Sequence, residues 1–168
     1  MVVDHDADRL RNFELVPFQR AFASGADAVM AAHLLVPAYD GQYPASLSRS
    51  IITDVLRGEL GYDGVVVTDD LSMGAIADHY EFADAVVRAV LAGCDLILFG
   101  HGYDLAETAM DALEHAYGSG ELTEERLGES VRRILRLKIR HGLRDAPAGP
   151  VDVEELNEKA MRLLETEH

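Results

Sequence analysis

Apolar residues follow two rhythms along this chain. Over residues 8–24, 49–60, 81–92, 104–117, 123–141 and 153–165 they recur at helical spacing. Between the helical stretches lie three short, unbroken runs: "DAVMAAH" (Asp27–His33), "GVVVTD" (Gly64–Asp69) and "DLILFG" (Asp95–Gly100). A strand with one wet face alternates apolar and polar residues. An unbroken run has both faces covered, as in a parallel sheet clothed by helices. The runs therefore predict parallel strands near residues 28–32, 64–68 and 95–99. They start about 30 to 37 residues apart, the spacing of right-handed βα units.

Punctuation sharpens the helices. Asp6 or Asp8 can cap the first, Ser48 the second and Thr123 the long one near the end. Pro17 falls inside the first helical stretch and should restart or kink it there. Gly25, Gly61, Gly93 and Gly142 stand where helices should stop. "RDAPAGP" reads as a linker, which divides the chain into residues 1–143 and a linker with terminal helix over residues 144–168. A three-stranded parallel sheet leaves two apolar edges open. The chain therefore belongs to something larger, or associates to cover them.

Charge narrows the function. The 168 residues carry 30 acidic and 15 basic side chains, for a net charge of −15. Such a surface excludes nucleic acid as a partner. Lys138 and Lys159 are the only lysines among the basic residues. That bias fits a halophile, with an acidic mesophile as the plainer reading. Cys94 is the one cysteine and is expected to pack as a small hydrophobe. No run reaches the ~18 apolar residues of a membrane span, and "MVVDHDADRL" lacks the basic start of a signal peptide. The expected location is the cytoplasm. No dinucleotide, phosphate-loop or metal-ligand pattern is present, so no cofactor or metal is expected.

In parallel α/β folds, ligands meet the carboxyl ends of the strands. Those ends carry His33, then Asp69 and Asp70, then Gly100 and His101. Alternation along the second strand sends Asp69 and Asp70 to opposite sides. Asp69 would face a shared pocket, while Asp70 would turn toward amides of the "LSMG" turn. The competing reading has both aspartates capping that turn and His33 as a hydrogen-bonded structural histidine.

The stretch from "ELVPFQRAFASGADAVMAAH" through "GYDGVVVTDDLSMGAI", with "AGCDLILF" and "RLGESVRRILRLKIRHGL", resembles glycoside hydrolase family 3, in its β-N-acetylhexosaminidase branch. The resemblance runs from about Glu14 to Leu143. It implies the last three βα units of a (β/α)8 barrel, a carbohydrate substrate and a retaining mechanism. The family nucleophile carries over onto Asp69. Met73, His33 and Asp70 are then the expected substrate-side neighbours, with His33 at the pocket rim. That branch carries a "KHFPGHG" segment and a His-Asp acid/base loop, neither of which occurs in this sequence, and strands one to five have no counterpart either. The isolated chain is therefore expected to have little or no glycosidase activity. A separate chain with the missing strands, or self-association, would cover the open edges. The alternatives are a non-catalytic remnant or interaction module and, remotely, a receiver-like phosphoacceptor domain. The last needs a lysine after its final strand, and Lys138 and Lys159 both fall in helical patterns.

Overall fold

A computed structural model describes residues 1–144 and 152–165. The expected linker, Arg144–Pro150, lies outside the described residues except for Arg144. The chain opens with α1 (Ala7–Arg9), capped by Asp6, whose carboxylate accepts the Arg9 amide at 2.7 Å. A π-helical turn, Leu10–Glu14, and α2 (Val16–Ala23) follow. Pro17 sits in the first turn of α2, where its missing N–H costs nothing. It restarts the helix, as its position predicts. Gly25 ends α2 in the left-handed region, at φ 85°.

β1 (Ala28–Ala31) leads through a loop and a 3₁₀ turn (Ala45–Leu47) into a π-helix, Ser50–Glu59. Ser48 starts that helix, its hydroxyl accepting the Ile51 amide at 3.2 Å. β2 (Val65–Thr68) follows, then α3 (Gly74–Ala77) and α4 (Phe82–Ala92). Two longer helices, α5 (Tyr103–Gly118) and α6 (Glu124–Arg140), precede α7 (Val153–Glu165). Thr123 caps α6, accepting the Arg126 amide at 3.2 Å.

β1 and β2 pair in parallel, with Val29 opposite Val66 and Met30 opposite Val67. The third expected strand departs from expectation. Its residues make one parallel bridge, Val67 to Leu96, and then leave the ladder. The cause is Thr68. Its hydroxyl, at 3.0 Å, accepts the Leu98 amide that a continuing ladder would send to the Thr68 carbonyl. The described sheet thus has two regular strands and a third segment held beside them.

The two faces of this sheet differ. Ala31 and Val66 are buried in the main core with Ala85, Val86 and Ala89 of α4, and Val29, Ile97 and Phe99 pack against them. Of the opposite parity, Met30 is 51% exposed, Leu96 40% and Leu98 37%, while Val65 at the start of β2 is buried. Leaving that much apolar surface in water is unfavourable by about 25 cal/mol per Å². A groove of about 210 Å³, lined by Leu10, Phe18, Met30 and Leu34 among others, runs beside β1.

The strand starts carry a second fixed point. Asp95 has no exposed side-chain surface. Its carboxylate accepts from Arg57 and Ser130 at 2.7 Å, from the Val66 amide at 3.0 Å and from Arg133 at 3.4 Å. Arg57 also donates to the Tyr62, Gly64 and Gly93 carbonyls. The network ties the π-helix, β2, the third segment and α6 into one unit.

Candidate active site

Asp69 follows the last residue of β2, and its amide donates to the Ala31 carbonyl at 2.9 Å. It shares parity with Val67, so its side chain leaves on the open face of the sheet. Asp70 has the parity of Thr68 and turns the other way. Its Oδ1 accepts the Ser72 amide at 2.8 Å and the Ser72 hydroxyl at 2.6 Å. Its Oδ2 accepts the Gly100 amide at 3.0 Å. The Ser72 bonds and the Gly100 amide hold the Asp70 carboxyl below its ordinary range, so it stays ionised.

The two aspartates are thus unequal. Asp70 is spent on the turn and on the end of the third segment. One Asp69 oxygen, Oδ1, accepts the Asp70 amide at 2.8 Å. Among the described residues no group donates to the other. A half-secured, partly exposed carboxylate at a strand end can act as a nucleophile or an acceptor.

His33 lies directly behind this turn and is only 8% exposed. Its Nε2 donates to the Asp70 carbonyl at 2.9 Å, and its Nδ1 lies 2.7 Å from the Ser46 hydroxyl. A carbonyl can only accept, so Nε2 carries the proton. In the neutral ring Nδ1 then accepts from Ser46. Both ring nitrogens are engaged within the chain. Met73 caps α3 with a side chain 46% exposed. Its amide shares the Asp70 carbonyl at 3.0 Å. His101 is exposed in the loop after Gly100.

Three participants escape a reading of the sequence alone: Thr68, Ser46 and the Gly100 amide. The spacing "DLS", an acidic residue two before a serine, is the local signal for the Asp70–Ser72 turn. Nothing local announces Ser46, which is fully buried 13 residues from its histidine. Among the described residues no group of three or more His, Cys, Asp or Glu side chains could hold a metal ion. No helix among them is long and apolar enough to cross a membrane.

Parallel strands backed by helices, with a poised carboxylate at a strand end, define an α/β protein of the kind that does its chemistry at the carboxyl edge of its sheet. Comparison with known proteins then names the group. Residues 1–137 match the family described as "Glycosyl hydrolase family 3 N terminal domain". The chain belongs to glycoside hydrolase family 3.

A solved glycoside hydrolase family 3 β-N-acetylglucosaminidase from Paenibacillus sp. str. FPU-7 is 48% identical. It superposes with a TM-score of 0.86 over 90% of this chain and 29% of its own. The solved β-N-acetylglucosaminidase of Thermotoga maritima is 30% identical, with a TM-score of 0.76 over 81% of this chain and 30% of its own. Beta-hexosaminidase A of Pseudoalteromonas piscicida is 35% identical over 156 residues, which is 82% of this chain and 26% of that protein. The chain spans 24–39% of the length of the first curated relatives it matches.

Proposed function

We propose that this chain supplies the nucleophile-bearing part of a retaining β-N-acetylhexosaminidase, as the last three βα units of a (β/α)8 barrel. The observation that carries this reading is Asp69: a strand-end carboxylate on the open sheet face, with one oxygen secured and the other without a donor. The open face, with Met30, Leu96 and Leu98, is then the lining of the barrel interior. The unpaired flanks of β1 and of the third segment are where further strands join. Residues 1–143 form the barrel portion and residues 144–168 a linker and terminal helix.

In this mechanism the free Asp69 oxygen attacks the anomeric carbon of a terminal β-linked sugar. The C1–O bond to the leaving group breaks as the Asp69–C1 ester forms. Water later cleaves the ester with a second inversion. An acid/base group must protonate the leaving oxygen and then activate water. Such help contributes about 10²- to 10⁴-fold. Asp70, whose oxygens are spent on Ser72 and Gly100, does not fill that role. The isolated chain therefore turns over ordinary glycosides poorly.

An activated substrate separates the two halves of the chemistry. In a 5-fluoro-N-acetylglucosaminyl fluoride, the departing fluoride needs no proton. Attack by Asp69 breaks the C1–F bond, releases fluoride and leaves the sugar ester on the protein. The expected result is a single adduct on the tryptic peptide containing Asp69, absent in Asp69→Ala. An adduct mapped to another carboxylate, or equal labelling of Asp69→Ala, overturns the assignment.

A further inference from the structure

A regular parallel ladder would continue past Val67 and Leu96 by a fixed alternation. The Leu98 amide would donate to the Thr68 carbonyl, and the Asp70 amide to the Leu98 carbonyl. Neither bond forms. Leu98 donates to the Thr68 hydroxyl at 3.0 Å, and the Leu98 carbonyl accepts instead from Leu71 at 3.0 Å. The Asp70 amide is thereby released from the ladder, and it donates to Asp69 Oδ1 at 2.8 Å. One side-chain oxygen, fully buried on Thr68, shifts the register by one residue where the reactive carboxylate emerges.

The carbonyl of the same residue is held from the other side. His33 Nε2 donates to the Asp70 carbonyl at 2.9 Å, while Ser46 holds the opposite ring nitrogen at 2.7 Å. The Asp70 backbone thus has its amide aimed at Asp69 and its carbonyl tethered to a buried ring. Both ring nitrogens of His33 are engaged, and Thr68 is fully buried.

We propose that Thr68 and His33 are positioning residues for Asp69: Thr68 frees the Asp70 amide to orient its carboxylate, and His33 fixes the turn that carries that amide. This rests on Asp69 as the nucleophile, but its structural half is measurable without catalysis. A carboxylate that accepts an amide shifts that proton as it ionises. In the ¹⁵N-labelled chain, the Asp70 amide proton is expected to respond to ionisation of Asp69, and Asp69→Asn removes that component, leaving only the response to Asp70's own carboxyl. Thr68→Val keeps the shape and removes the hydroxyl, and should cut the titration to less than half. Thr68→Ser should restore it. His33→Gln retains a donor at the Nε2 position and keeps the titration, whereas His33→Asn places its donor near Ser46 and loses it.

A full-amplitude titration in Thr68→Val or His33→Asn overturns the proposal, as does an Asp70 amide titration that Asp69→Asn leaves unchanged. If Thr68→Val or His33→Asn does not fold, the other pair decides. The trapping reagent gives the functional readout. Misplacing a reacting group by about 1 Å costs up to about 10²-fold, so Thr68→Val and His33→Asn should trap at least about tenfold more slowly. Thr68→Ser and His33→Gln should stay near the wild-type rate. Equal trapping by all four variants overturns positioning. If the wild type itself does not trap, the glycosidase reading fails, and the amide titration still decides the placement of Asp69.

Discussion

Replacing Asp95 by alanine tests how the strand starts are held. Its carboxylate, with no exposed side-chain surface, faces Arg57, whose side chain is 13% exposed, and Arg133, which is 12% exposed. Alanine removes the anion and leaves these cations, the Ser130 hydroxyl and the Val66 amide in place. Orphaning one side of a buried pair costs about 3–5 kcal/mol, against a total of about 5–15 kcal/mol for an ordinary domain. Urea unfolding with an m-value of about 2 kcal/mol/M would then show the midpoint falling by about 2 M.

A second variant isolates the cause. Combining Asp95→Leu with Arg57→Met removes the carboxylate and the nearest of its three arginines, leaving Arg133 and Arg126. It should cost less than Asp95→Ala, because the loss comes from the stranded cation and not from the pair's own worth. A drop of less than about 1 kcal/mol for Asp95→Ala, small beside the cost of stranding a buried charge, refutes the reasoning. That result would mean that water or rearrangement already satisfies Arg57, whereas a double variant worse than the single one would report the Tyr62, Gly64 and Gly93 carbonyls that Arg57 also serves.

Two further predictions follow from groups around the site. Burial pushes the Cys94 thiol up to about 12, so it should resist a disulfide reagent in the native chain and react at the rate of unfolding; prompt native labelling would contradict its placement. The Asp70 carboxyl lies below its ordinary value of about 3.9, so its stabilising effect is complete above that value. The effect is lost as pH falls through the lower folded value. The Ser72 and Gly100 amide shifts should therefore move together in that acid window, and Asp70→Asn should remove the transition.

Much of this was legible in the sequence, and the physical reason is locality. Gly25, Gly93 and Gly142 all adopt positive φ where helices end, and Asp6 and Thr123 cap as their positions suggest. Those are decisions made within four residues. The unbroken valines of β2 marked a strand covered on both sides, and Val65, Val66 and Thr68 are buried; the openness lies on its neighbours, at Met30, Leu96 and Leu98. The inequality of Asp69 and Asp70 was readable from the two-residue period of a strand. The register slip was not, because it is a contest between a hydroxyl and a carbonyl for an amide 30 residues away. Nor was the clasp on Asp95, built from Arg57, Ser130 and Arg133, which meet only in three dimensions. The engagement of both His33 nitrogens likewise depends on Ser46, brought in by a turn that follows β1.

The unlike faces of the sheet divide the sequence into two ledgers of selection. Val29, Ala31 and Val66 answer to the folding of this polypeptide itself, since they pack in its main core. Met30, Leu96 and Leu98, only partly buried, contribute less to that folding. A polar substitution there would pass almost unnoticed in the stability of the chain and could even improve its solubility. Under the proposed barrel reading, the apolar character of these positions serves a contact that the chain's own fold does not require.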